Sequence, residues 1–147
     1  MENVSVINTE VRTIQSFCAS TKSMSGLPLA REFTRYFELQ YPLTIEQLVT
    51  VCQNSGFAVE TMPDHHKPRG FNCEYGDKVR VLYKENDSPS GKIHTVLHEL
   101  FEVMERYLPA TDRNGYKKSN KDREADADQF ASYVHVPQET VLQWINT

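Results

Sequence analysis

The alternation of apolar and polar positions divides the chain into helices and one hairpin before any chemistry is considered. Val11, Ile14, Phe17 and Cys18 mark one short amphipathic turn, and 20–26 reads as a polar linker. Pro28 suits the first turn of a helix, along which Leu29, Phe33, Tyr36 and Phe37 recur at helical spacing until Tyr41 and Pro42 stop it. Thr44 and Gln47 form a capping-box pattern, and Ile45, Leu48, Val49 and Cys52 supply the buried stripe of a second helix, ended by Asn54, Ser55 and Gly56. Phe57 to Glu60 reads as a short strand. Pro63 to Pro68, with the adjacent His65 and His66, reads as a solvated loop. From Gly70 to Lys84 the period switches to two around a Gly76–Asp77 turn, which predicts a β-hairpin. Turn residues over 86–91 then lead into the most strongly patterned stretch of the chain.

That stretch, Gly91 to Leu108, places Ile93, Val96, Leu97, Leu100, Val103, Met104, Tyr107 and Leu108 on one broad face at roughly 100° per residue. His94, His98 and Glu102 stack four apart on the other face, and Glu99 projects at its border. Residues 110–121 read as a polar loop. Ser119 and Asn120 are suitable caps for a helix over about 121–135, in which Asp122 and Glu124 suit the dipole of the first turn and Ala127, Phe130, Ala131 and Val134 form the packing face. Pro137 closes that helix and opens a last short one, with Val141, Leu142, Trp144 and Ile145 inward.

Composition narrows the class. A chain of 147 residues, 39% of them hydrophobic, can bury one core without staples. No run approaches the ~20 apolar residues needed to cross a bilayer, so no membrane partner is expected. A net charge of −4 argues against a broad basic surface, hence against direct nucleic-acid binding. The three cysteines, Cys18, Cys52 and Cys73, are odd in number and lack ligand-like spacing. The opening MENVSVINTEVR has no positively charged head followed by an apolar stretch, so a reducing cytoplasm is expected.

The polar face of the 91–108 helix carries the chemistry. His98 and Glu102, one turn apart, can grip a single ion, and Glu99 sits where a residue handling the proton of a metal-activated water is needed. This is the layout of the zinc-peptidase motif HExxH with Glu102 in place of the second histidine. Glu124 and Asp128, four apart on the later helix, offer a third ligand and an acceptor for the other ring N–H of His98. Two other arrangements remain open. Glu102 and Arg106 are an i, i+4 acid–base pair in the favourable order, which would make Glu102 a surface ion-pair partner. His94 and His98 are also four apart and could form a two-histidine site with Glu124.

The stretch from Lys92 to Pro137, with HisGluLeu at 98–100 and GluAlaAspAlaAspGlnPheAlaSerTyrValHisValPro at 124–137, resembles the ImmA/IrrE family of zincin-type metallopeptidases. The family's hallmark is an HExxH helix followed by a helix reading roughly ExEANxFAxxLLMP. Upstream, a TyrPro at 41 and 42, a helix, a Gly-apolar strand and a hairpin follow the same order, so the resemblance covers about residues 40–137. It implies zinc held by His98, Glu102 and Glu124, with Glu99 as the catalytic base and Asp128 steadying His98. It also implies a protein partner, since members commonly cleave or bind helix-turn-helix repressors encoded near them, often in mobile elements or stress responses. The architecture expected is α+β: a zincin-like domain over 28–147 behind an N-terminal extension of 1–27. A short antiparallel sheet of about three strands packs on the active-site helix and the second ligand-bearing helix.

Three positions depart from the family pattern: Glu102, His135 where an apolar residue is usual, and Phe101, which is expected to crowd the turn beside Glu102. Two ligand carboxylates cancel the charge of a divalent cation, so its water should have a pKa above the ~7 typical of catalytic zinc and hydrolysis should be slower. Oxygen-rich ligation also makes zinc less favoured over manganese or iron. The expectation is a cytoplasmic metal-dependent endopeptidase with weakened activity. Its alternatives are a catalytically inactive module that binds a regulatory protein, and a metal site that only stiffens the domain.

Overall fold

A computed structural model describes residues 11–65, 67–108, 119–137 and 145. Among them the chain forms α1 (Ile14–Ser20), α2 (Gly26–Tyr36), α3 (Ile45–Asn54), β1 (Ala58–Met62), β2 (Gly70–Tyr75), β3 (Lys78–Lys84), α4 (Pro89–Met104) and α5 (Asn120–His135). Local sequence sets the helix starts. Thr44 accepts the Gln47 N–H, Ser88 accepts the Gly91 N–H and Ser119 accepts the Asp122 N–H, each supplying an orphan donor of a first turn. Because Ser88 is the cap and Pro89 suits a first turn, α4 starts two residues earlier than the apolar stripe alone indicates.

The fold is α+β, with a small three-stranded sheet in the order β1-β3-β2. The sheet is mixed, which corrects the antiparallel expectation. β2 and β3 form the antiparallel hairpin, but β1 runs parallel to β3. β3 carries the fully buried Val79 and Val81 and takes the middle position. The connection from β1 to β3 includes the whole of β2, so it is long enough for the crossover that a parallel pair requires.

Register decides what each strand shows to the helices. Residues directly opposite in a pair share a face of the sheet, and the hairpin pairs Gly70 with Tyr83, Asn72 with Val81 and Glu74 with Val79. Val79 and Val81 belong to the core that α4 lines, so Gly70, Asn72 and Glu74 face the helix side. Phe71 and Tyr75 lie on the other face, 51% and 86% exposed. Gly70 makes this approach possible. A Cβ there would stand 2.3 Å from Thr95 Cγ2 and 3.2 Å from the Leu82 carbonyl oxygen.

Helix α4 is the hub, touching α1, α3, α5, β2 and β3, while α5 packs on α4 and α2. The expected apolar face of α4 is buried except at Tyr107, beyond the helix end. Phe130 of α5 links the layers, its ring 5.2 Å from that of Phe33 and 5.5 Å from that of Phe101. Phe101 therefore packs toward α5 rather than crowding Glu102. The segment read as an N-terminal extension contributes Ile14, Phe17 and Cys18 to the same core, and the Ile14 N–H donates to Ser55 Oγ at 2.8 Å.

Most of the loop expected over 110–121 and of the last helix expected after Pro137, including Val141, Leu142 and Trp144, lies outside the described residues, as does His66. Ile145, expected inward, is 71% exposed. No helix among the described residues is long and apolar enough to cross a membrane.

Candidate metal centre

Helices α4 and α5 run side by side because Phe101, Phe130, Ala127 and Ala131 give them a common apolar seam. That seam brings the two polar faces to one cleft of about 540 Å³, walled on its far side by the start of β2 and the loop before it. His98, Glu99, Glu102, Glu124 and Asp128 all line it, together with His94 and Asn72.

The His98 ring is held from both nitrogens. Nδ1 lies 2.8 Å from Asp128 Oδ1. Nε2 lies 3.0 Å from Glu124 Oε2 and 3.6 Å from Glu102 Oε2. Asp128 Oδ1 also meets His94 Nε2 at 3.3 Å, so one oxygen serves both rings. Glu102 does not pair with Arg106. The guanidinium instead reaches β2, with Nη1 3.2 Å from Glu74 Oε1 and Nη2 donating to Asn72 Oδ1 at 2.9 Å. Asn72 Nδ2 in turn donates to Glu99 Oε1 at 2.7 Å and to Glu102 Oε1 at 2.8 Å.

Proton affinities follow from this crowding of acids around one imidazole. The nearby Glu102 carboxylate raises His98 to about 9, Asp128 adding to the effect against the cost of burial. Burial pushes Glu99, 7% exposed, up to about 7, although the Asn72 amide favours its charged form. The neighbouring His98 ring, cationic when protonated, holds Glu102 below the usual carboxylate range. Glu124 is raised by partial loss of solvent and by Glu102 beside it. For Asp128, desolvation acts upward, but the bonds from His98 and His94 outweigh it and the net shift is downward. His135 is lowered by burial and by the charge of His94.

On the Nε2 side of His98 the donor types suit a divalent ion: His98, Glu99 and Glu102 form a compact group, and Glu124 approaches Nε2 without belonging to either group of mutually close ligand atoms. In a tetrahedral site with bonds of about 2.0–2.1 Å, neighbouring donor atoms stand roughly 3.3 Å apart, and the two separations from Nε2 bracket that spacing. Ligand atoms of His98, Glu99 and Glu102 all lie within 4.8 Å of one another, as do those of His94, His98 and Asp128. The second group offers a single carboxylate oxygen already shared by two rings. An Nε2 site has Glu102 and Glu124 beside it and keeps the Nδ1–H to Asp128 bond that fixes a ligating ring.

Asn72 and its link to Arg106 were missed in the sequence. The signal was present: once Val79 and Val81 are taken as inward, a two-residue turn at Gly76–Asp77 forces Asn72 inward beside Val81. No protein-family model matches the chain, and no curated protein matches it either.

Proposed function

We propose that the chain is a metal-dependent endopeptidase of the ImmA/IrrE type that acts in the cytoplasm on a helix-turn-helix repressor, at a rate weakened by Glu102. The observation that carries this reading is the approach of Glu124 Oε2 on α5 to His98 Nε2 on α4, 3.0 Å apart. In the metal-free chain that approach is an ion pair with the protonated ring; a metal would replace the proton between the same two groups.

His98, Glu102 and Glu124 would hold the ion, zinc by default and manganese or iron as alternatives for so oxygen-rich a set. When bound, the ion polarises the scissile carbonyl and acidifies the attacking water. Glu99, with a carboxyl raised to about 7, is matched to moving protons near neutrality. Its Oε1 is held by Asn72, so Oε2 takes the proton as water adds to the carbonyl carbon and returns it to the amine as the C–N bond breaks. Asp128 keeps the His98 ring oriented. The outer edge of β2, unpaired by any strand among the described residues, offers main-chain groups to an extended substrate.

A second reading has a specific basis in Glu102 itself, the residue found where the motif calls for histidine. On that reading the module binds the regulatory protein without cutting it. The test is incubation of the manganese- or zinc-loaded chain with a proteome-derived peptide library, new termini being read by mass spectrometry. Chelator-sensitive cleavage that Glu99→Gln abolishes is the expected result. Full metal loading with no cleavage, in wild type and in Glu102→His alike, contradicts the peptidase reading and leaves the binding module.

A further inference from the structure

We propose that Asn72 is a positioning residue that lets a glutamate stand in for an imidazole at position 102: its amide occupies Glu102 Oε1 and leaves Oε2 alone to take the ion. The inference rests on the metal-centre reading above and deepens it.

An imidazole presents one nitrogen to a metal, whereas a carboxylate presents two oxygens and can chelate with both. A chelating Glu102 would add a donor and crowd the position that a hydrolytic site keeps open for water. The Asn72 Nδ2 has two protons, and both are used, at 2.7 Å on Glu99 Oε1 and 2.8 Å on Glu102 Oε1. The amide cannot turn over without loss. Its Oδ1 accepts from Arg106 Nη2 at 2.9 Å, and Arg106 is itself anchored on Glu74. With a guanidinium on one side and two carboxylates on the other, only one orientation satisfies donors and acceptors. Nor can the residue drift, because β2 is paired to β3 with Asn72 opposite Val81. One side chain therefore sets the direction of the base and of the second ligand together.

The experiment is a titration of the metal-free chain with Co²⁺, read by visible absorption. Four-coordinate Co²⁺ absorbs several-fold more strongly than five- or six-coordinate Co²⁺. The wild-type chain should take one ion and give the intense bands. Asn72→Ala should still take one ion, with bands several-fold weaker as Glu102 chelates. Arg106→Ala, which leaves Asn72 in place but free to rotate, should weaken them in the same direction, and it keeps the test open should the alanine variant not fold. In a Glu102→His background, where no second oxygen exists, Asn72→Ala should leave the bands unchanged. That last comparison separates positioning of Glu102 from general support of the site.

Unchanged bands in Asn72→Ala and Arg106→Ala with cobalt bound, or the same loss in the Glu102→His background, overturns the proposal and leaves the metal centre standing. A wild-type chain that takes up no cobalt overturns the metal-centre reading, and this inference with it.

Discussion

His98 Nδ1 and Asp128 Oδ1 lie 2.8 Å apart, across the seam between α4 and α5. Because the carboxylate can only accept, the proton on that bond belongs to the ring, and a neutral His98 must offer Nε2 as its lone pair. In the metal-free chain the raised proton affinity of His98 puts a second proton on Nε2, facing Glu124 and Glu102; a metal would replace that proton and take the lone pair. Asp128→Asn should remove the preference between tautomers and weaken metal binding by about 10–100-fold with the fold intact. Chelator competition with circular dichroism as the fold control measures it.

The metal-free chain should lose stability as pH rises from about 5 to 9. His98 is raised from 6.5 to about 9, so its contribution is full below about 6.5 and is lost as pH climbs through 9. Glu99 is raised from 4.5 to about 7, so the native state also holds its extra proton at low pH and gives it up through 7. In both windows the folded chain binds more protons than the unfolded one, and stability falls with pH. Each shift corresponds to about 3 kcal/mol. Glu102 and Asp128, both lowered, act the opposite way only in acid, losing their contribution as pH drops below the usual carboxylate range. Urea titrations across pH in the presence of chelator should place the maximum near pH 5, and a maximum near pH 8 would contradict the site's electrostatics.

Replacing Glu102 by histidine removes one negative charge and supplies a softer donor. Zinc affinity should rise roughly tenfold or more, about 1.4 kcal/mol, and peptide cleavage should accelerate. Competition with a chromogenic chelator reads the first effect and peptide mass spectrometry the second.

The register of the hairpin is testable at Gly70. An added methyl group meets Thr95 Cγ2, so Gly70→Ala should destabilise by about 1–3 kcal/mol. Removing that methyl with Thr95→Ser should recover part of the loss in a double-mutant cycle.

Much of the site was legible because it lies on helices with strong periodicity. His98, Glu99 and Glu102 sit on a 16-residue α4, and Glu124 and Asp128 share a face of α5 by spacing alone. Their meeting depends on Phe101 and Phe130, whose packing a one-dimensional pattern does not disclose. The strand contribution was harder to read. Phe71, Cys73 and Tyr75 are the hydrophobic residues of β2, yet register sets them on the face away from the helices and sends the polar Asn72 and Glu74 to the helix side. The parallel β1–β3 pair departs from the antiparallel expectation because the second strand of the hairpin, not the first, lies beside β1, an order that strand periodicity does not encode. Arg106, placed by helical spacing beside Glu102, is drawn instead to Glu74 and Asn72 across the cleft.

The central claim is that His98 of α4 and Glu124 of α5 hold the same divalent ion. The direct measurement is metal content by mass spectrometry in chain purified without an affinity tag, compared with Glu124→Ala. Glu124 is 58% exposed as a side chain, so its truncation leaves the fold intact. The account predicts about one ion per wild-type chain and a large loss of it in the variant. A wild-type chain free of metal after incubation with zinc, manganese and iron, or a variant that keeps its ion as tightly, contradicts it.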